Sequence, residues 1–460
     1  MVHEERIRHL IGVPPRSGSY VLYWMQQAQR TEYNHALTFA GQTADELGLP
    51  LVVGFVLIPD FPEANRRHYQ FMIEGLADVQ VRLHKANIPF VLRVGEKMVP
   101  SVLKLAEKAA WVVTDVGYLS LQRRWREQAG KALSCPFTTV ETDVIVPVES
   151  VSQKAAVAAR SLRPRVLKQK DAFLDIVATP RGRGAPELLP EGRIGPADPT
   201  VLFEELAVDS AVGPVSGFKG GQKAAKIRLN RFISQHLANY EALARDPVAQ
   251  CQSDMSPYLH FGQISPVFIY REIRAADVPE ASKSAFLEQL LVRRELSVNF
   301  VYYNPGYDRY ETAVPQWARQ SLYRHNGDQR GYVYSREQFE QGRTHDPYWN
   351  AAQMEMVLTG RMHNYMRMYW GKKIIEWTRE PAAAFDIMLW LNNKYALDGR
   401  DPSSYAGVAW CFGRHDRPWQ ERQVFGKIRY MNDRGLERKF KIAAYVERIG
   451  TLLGKSAGRL

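Results

Sequence analysis

The chain has 460 residues, 45% hydrophobic and 24% charged. That length is too great for one ordinary core and predicts at least two domains of a globular protein. A formal net charge of +12 points to a polyanionic partner, nucleic acid or less often a membrane surface; a basic enzyme with no polyanion is the plain alternative. Cys135, Cys251 and Cys411 stand far apart with no CxxC or Cys/His spacing, so neither a disulfide framework nor a metal site is expected. The N-terminus, MVHEERIRHL, carries acids and lacks the apolar stretch of a signal peptide. The longest apolar run, Leu49 to Pro59, is too short to span a bilayer. The expectation is a monomer of the cytosol, or of the nucleus in a eukaryotic host, with no membrane partner.

The first 150 residues alternate apolar runs with amphipathic stretches. Strands are predicted at Tyr20–Trp24, Leu51–Ile58, Phe90–Val94, Trp111–Val116 and Phe137–Val146. Helices are predicted between them at Asn34–Leu47, Arg66–Ala86, Val99–Ala110 and Leu119–Leu133. Strands separated by such helices imply a parallel, Rossmann-like sheet covered on both faces. Residues 151–220 contain Arg163-Pro164-Arg165 and a Gly/Pro-rich stretch from Thr179 to Pro199, and read as an irregular inter-domain connection. From 221 to 460 the periodicity is helical: Ala224–Glu241, Pro266–Ala276, Lys283–Tyr302, Trp349–Gly360, Arg361–Glu376 and Pro381–Leu391.

Gln252-Ser253-Asp254-Met255-Ser256-Pro257 precedes Tyr258-Leu259-His260-Phe261-Gly262. Ser256 at N-cap with Pro257 at N1 predicts a helix start, whose free N–H groups suit an anion such as a diphosphate. SPYLHFG resembles the flavin-phosphate motif of the photolyase/cryptochrome family, where this stretch cradles FAD. The resemblance makes residues 252 to 256 and Tyr240 phosphate-side contacts. Phe286 to Leu296 is similar to the class II form of the helix flanking the flavin, with Glu288, Val292 and Glu295 on one face by their i, i+4, i+7 spacing. It makes Glu288 the carboxyl that hydrogen-bonds the damaged bases. The plain alternative is an ion pair with Arg293 or Arg294, and for Glu295 that is the expected reading.

Arg361-Met362-His363-Asn364-Tyr365-Met366-Arg367-Met368-Tyr369-Trp370 is the most specific motif. On a helical wheel Arg361, Tyr365 and Met368 lie opposite Arg367, Trp370, Ile374 and Trp377, with Asn364 between. A Trp stripe at this spacing is ordinarily core; the resemblance instead implies that Trp370, Trp377 and Trp349 relay an electron that photo-reduces the flavin, while Tyr365 and Met368 face the substrate. It also places Asn392 at flavin N5, Asn364 on the cofactor, and Arg367 in a two-point pair with Asp398. Trp410, Arg417, Trp419 and Arg429 interleave cations with large rings, as phosphate contact and base stacking require. By resemblance Trp410 packs on a flipped cyclobutane pyrimidine dimer, and Arg417, Trp419 and Arg429 fill the gap left in the duplex. Tyr23 to Arg30 resembles the opening strand and turn of the family's antenna domain, which in relatives holds a deazaflavin or a folate. The resemblance thus implies an α/β antenna domain, a helical FAD domain, and light-driven repair of dimer-containing DNA, with a cryptochrome-like photoreceptor as the rival on the same fold.

Overall fold

The computed structural model describes residues 2–194, 202–203, 206 and 208–457. The five expected strands form, the last ending at Val140 and not at Val146, together with two edge strands that were not expected. They are β1 (Ile7–Ile11), β2 (Tyr20–Met25), β3 (Leu51–Leu57), β4 (Phe90–Val94), β5 (Ala109–Asp115), β6 (Phe137–Val140) and β7 (Arg193–Ile194). The sheet order is β1-β6-β5-β2-β3-β4-β7. Its five central strands are parallel, whereas β1 and β7 close the two edges antiparallel. Every residue of β2 and β3 is buried, as an apolar run between two helical layers must be. Asn34 accepts from the Leu37 amide to start the helix His35–Glu46, and Gly48 (φ +67°) ends that segment. The helix predicted to reach Ala110 stops at Leu105, because Ala109 and Ala110 already belong to β5.

The connection is less irregular than its prolines suggest. Helix Ala159–Gln169 runs straight through Pro164, whose missing N–H frees only the carbonyl of the exposed Arg160. The Gly/Pro-rich stretch is irregular as far as the two-residue β7, and residues 195–199 of it lie outside the described residues.

The helical part departs from expectation at two starts, one end and one face. The helix expected over Ala224–Glu241 runs Gln222–Gln235 and gives way to a tight 3-10 turn, Leu237–Asn239, before a short helix at Tyr240–Leu243. The N-cap before Pro257 is Met255; Ser256 is the first helical residue, and its hydroxyl is used elsewhere. The second helix of the long motif begins at Asn364, so Arg361 leaves the wheel and sits in the preceding turn. The helix Glu280–Leu287 continues through a π-helical turn, Glu288–Arg293, into Arg294–Tyr303. A π turn takes about one residue more than an α turn. Glu288, Val292 and Glu295 therefore do not share a face: Glu288 is half-buried, and the other two are buried in different surroundings.

Glu295 pins the sheet unit to the helical unit. Its Oε1 accepts from the Ile145 amide at 2.6 Å, so its partner is backbone and not the expected arginine; Arg294 instead donates to the Asp143 carbonyl at 2.6 Å. Nearby, Arg30 bridges Asp143 (2.6 Å) and the Gly262 carbonyl (2.9 Å). Burial pushes the Glu295 carboxyl up to about 8, against the pull of the amides and of Arg294. The folded protein thus holds this proton more tightly than the unfolded chain, and stability is lost as pH rises from the ordinary carboxyl range toward 8. Glu295→Gln keeps an acceptor for the amide and cannot ionise. Its unfolding free energy relative to wild type should rise between pH 5 and pH 8 by on the order of a few kcal/mol, read by denaturant titration.

Candidate flavin and nucleic-acid site

Three helices and one turn gather the polar residues expected to hold the cofactor: Ser256–His260, Asn364–Trp377, Pro381–Tyr395 and the turn before Pro402. Asp398 Oδ2 accepts from the Ser256 hydroxyl. Arg367 approaches Asp398 with one nitrogen only, at 3.6 Å, and turns the other to Asn392 Oδ1 at 3.1 Å. The two-point pair is therefore replaced by a fork across two acceptors. Gly399 permits this closure, since a Cβ there would stand 2.8 Å from the Asn393 Cα.

On the phosphate side, Asp254 takes a left-handed backbone (φ +55°) and receives Arg361 at 2.6 Å and Arg228 at 3.2 Å. Gln252 lies between the Ala244 carbonyl and His363, and Ser253 Oγ accepts from the Met255 amide. Asn364 is exposed at the first position of its helix. Tyr240 packs edge-on against Phe232 and Phe286, and burial pushes its hydroxyl up to about 12. Asp398 Oδ1 is buried with no hydrogen-bond partner among the described residues. A buried orphan acceptor beside a guanidinium and an amide is costly unless a ligand donor meets it. A ring with an N–H and C=O edge plus a diphosphate tail fits this donor and acceptor set.

The three tryptophans come together. Trp370 and Trp349 stack at 6.3 Å between centroids and 7° between planes, and Trp349 meets Trp377 at 6.1 Å and 66°. All are buried. The indole N–H of Trp370 donates to Gln353 Oε1 (2.9 Å), and that of Trp349 to the Trp370 carbonyl (3.0 Å). Tyr365 packs edge-on against Phe440 and accepts from Lys439, while Met368 is half-buried.

The basic aromatic cluster also assembles. Arg417 and Arg429 both lie 5.4 Å from the Trp419 ring, which is 40% exposed. The Trp419 indole donates to Asp416 and its amide to the Lys427 carbonyl, so the ring stands on a tied loop. Trp410 carries Arg293 over its ring at 5.3 Å. Arg293 also reaches Glu288 at 3.4 Å, and Arg163 grips Glu288 at two points, 2.7 and 3.0 Å. Arg293 thus links Glu288 to Trp410, and Arg163 is a further partner of Glu288 that the motif did not reveal. Lys372, also unread in the sequence, is buried and donates to the Cys411 carbonyl, tying down the end of the helix that carries Trp410.

A family model described as DNA photolyase matches residues 21–181. The deoxyribodipyrimidine photo-lyase of Methanothermobacter thermautotrophicus is 48% identical, covering 98% of this chain and all of the relative. The chain belongs to the DNA photolyase family. The photo-lyase of Arabidopsis thaliana is 38% identical over 94% of this chain and 89% of its own length. In fold, this photolyase-family chain matches a class III photolyase from Agrobacterium tumefaciens (TM-score 0.73, 18% identity, 95% of this chain and 88% of that one). It also matches a Synechocystis cryptochrome (TM-score 0.71, 16% identity, 94% and 88%). Photolyases use FAD, the cofactor for which the cluster above has the matching donors and acceptors.

A cavity lies between the sheet and helical units. It is lined by Trp24, Gln27, Tyr69, Trp125, His260 and Arg400, among others, and the Tyr23–Arg30 turn forms one wall. Asp115 shapes that turn by accepting from the amides of Gln26, Gln27 and Ala28 and from the Tyr23 hydroxyl. Among the described residues no helix is long and apolar enough to cross a membrane.

Proposed function

We propose that the chain is a deoxyribodipyrimidine photo-lyase of the class II branch, repairing cyclobutane pyrimidine dimers in DNA, with the residues above in the roles that follow. When bound, reduced FAD supplies the photo-excited electron that opens the cyclobutane ring and recovers it afterwards. Arg367, Asn392, Asp398 and Ser256 hold and orient the flavin ring, with the Asn392 amide toward N5. Residues 252 to 255, Asn364 and Tyr240 hold the phosphate side. The Asp398 carboxylate finds its missing donor there, and Arg367 offsets its charge. Arg367→Ala should leave the Asp398 carboxylate without its cation and lower FAD content per purified chain, read from the flavin-to-protein absorbance ratio.

The observation that carries the reading is the helix Pro402–Cys411. Asp398 stands just before it and Trp410 near its other end, so a rod on the order of 15 Å long joins the flavin cluster to the face that carries the exposed Arg417 and Trp419 and the half-buried Arg429. A dimer is inaccessible while stacked in a duplex and must be turned out to be reached. Trp410, Tyr365 and Met368 then form the pocket wall. Glu288 contacts a pyrimidine, and Trp419 with its two arginines occupies the vacated step. The cavity between the sheet and helical units would hold a light-gathering deazaflavin or folate.

Light-dependent restoration of a defined thymine-dimer oligonucleotide by the monomeric holoenzyme tests the activity; a photoreceptor on this fold would leave the dimer intact. DNA affinity should fall steeply with salt as phosphate contacts displace counterions. Arg429→Ala should reduce the preference for dimer-containing over intact duplex more than it changes that salt slope. Equal loss on both duplexes would make Arg429 a plain phosphate contact.

A further inference from the structure

The tryptophan row does not end at the edge of the core. Besides Phe339, stacked at 6.5 Å, Trp377 meets two rings that lead outward, His345 at 4.9 Å and Tyr334 at 5.6 Å between centroids. Tyr334 is anchored to Trp377 by its amide, which donates to the Trp377 carbonyl at 3.2 Å. The Tyr334 hydroxyl lies 2.7 Å from His345 Nδ1 and accepts from the His345 backbone N–H at 2.9 Å. Tyr332 stacks on the His345 ring at 3.6 Å and 16°, and is 50% exposed. A histidine and a tyrosine locked together by two hydrogen bonds, under a solvent-facing ring, are more than a loop needs for its fold.

We propose that His345 is the proton acceptor for Tyr334 at the outer end of the tryptophan row, a role that rests on the relay reading of Trp370, Trp349 and Trp377. During photo-reduction of the bound FAD, the electron drawn from the row leaves a radical cation on Trp377. Tyr334 gives one electron to Trp377, and its O–H proton passes to His345 Nδ1. The products are neutral Trp377, a neutral tyrosyl radical and an imidazolium. Charge and protons balance within the three residues. Without a base, oxidised tyrosine would have to keep its proton or release it to water, so the short contact decides whether the transfer proceeds. In the tautomer with its proton on Nε2 the ring accepts at Nδ1, and the backbone N–H, which donates to the hydroxyl oxygen, leaves the phenolic hydrogen to point at the ring. The Tyr332 face against the imidazole stabilises the imidazolium once it forms. Lys373, paired with Glu376, holds its ammonium 5.4 Å from the Trp377 ring, which disfavours positive charge there and drives the oxidising equivalent outward. At the surface a soluble thiol restores the tyrosine by donating one hydrogen atom and becomes a thiyl radical, and the exposed imidazolium releases its proton to solvent.

The test follows radicals rather than repair. FAD-loaded holoenzyme is given a blue flash without added thiol, and the radicals are identified by transient absorption and freeze-quench paramagnetic resonance. Wild type should yield a tyrosyl signal that forms more slowly in D2O. His345→Phe keeps a ring in the stack but no base, and should lose the tyrosyl signal while the tryptophanyl signal persists and decays by return of the electron. His345→Gln keeps a hydrogen-bond acceptor of little basicity and should do the same; it serves if the Phe variant folds poorly. Added imidazole should restore the tyrosyl signal, since His345 is exposed. An unchanged tyrosyl yield in both variants overturns the proposal for His345 alone. Absence of any tryptophanyl signal in wild type overturns the relay reading on which it stands.

Discussion

Trp370→Phe should abolish photo-reduction of oxidised FAD while leaving repair by chemically pre-reduced enzyme close to wild type. Phenylalanine is far harder to oxidise than indole, and Trp370 is stacked parallel on Trp349, the next ring outward. Even ~1.4 kcal/mol of added barrier gives a tenfold loss of rate, and the difference between these rings exceeds that. Trp349→Phe and Trp377→Phe should impair the same step, since the three rings are in contact in the order Trp370, Trp349, Trp377. Repair starts from flavin already reduced, so the relay is not used. The competing account, core packing alone, has real substance here. Trp370 is fully buried, and losing its indole N–H leaves Gln353 Oε1 without its donor. Together with the cavity, that costs about 2–4 kcal/mol of stability. Core packing therefore predicts loss of both activities in parallel with loss of folded, flavin-loaded protein. Both activities must be measured on one preparation whose FAD content matches wild type. Intact photo-reduction there defeats the relay, and equal loss of both activities favours the packing account.

The central strands were legible because an apolar run between amphipathic stretches has few other uses, and β2 and β3 are buried throughout as that pattern requires. The edge strands were not. Ile7–Ile11 is mostly exposed and pairs with a segment some 130 residues away, so nothing local marks it. Residue types in the flavin cluster were readable through the family motif, but geometry was not. The π turn at Glu288–Arg293 depends on backbone hydrogen bonds that reach five residues along instead of four, which no side-chain periodicity records, and Glu295 lies at the junction between units. Arg163 comes from a proline-containing stretch read as irregular; its helix and its grip on Glu288 appear only once the two segments are packed. Tyr334 and His345 likewise lie in a stretch with no motif, and become a pair only through the fold.

Glu288→Ala should bind damaged duplex with modest loss and repair it with a clearly lower yield per absorbed photon. The carboxyl stands within a chain of contacts from Arg163 through Arg293 to the ring of Trp410, and it is half-buried, so one oxygen can meet a base in exchange for an arginine contact. A hydrogen bond donated by the carboxyl to a pyrimidine carbonyl, once the dimer has displaced the arginines, gains strength as negative charge develops on that oxygen, which assigns the effect to the chemical step and not to binding. Charge-assisted bonds are worth roughly 1.5–3 kcal/mol, enough to shift the competition between ring opening and return of the electron. The alternative is that Glu288 serves only to neutralise Arg163 and Arg293. Arg163→Ala separates the two. It removes the two-point ion pair but leaves the carboxyl and Arg293 beside Trp410, so a base-contacting Glu288 retains most of its repair yield in that variant. A purely structural pair predicts that Arg163→Ala and Glu288→Ala fall together in yield and in thermal stability. Yield per photon, dimer affinity and Tm measured on both variants decide the role, and a Glu288→Ala enzyme with wild-type yield removes the carboxyl from the reaction.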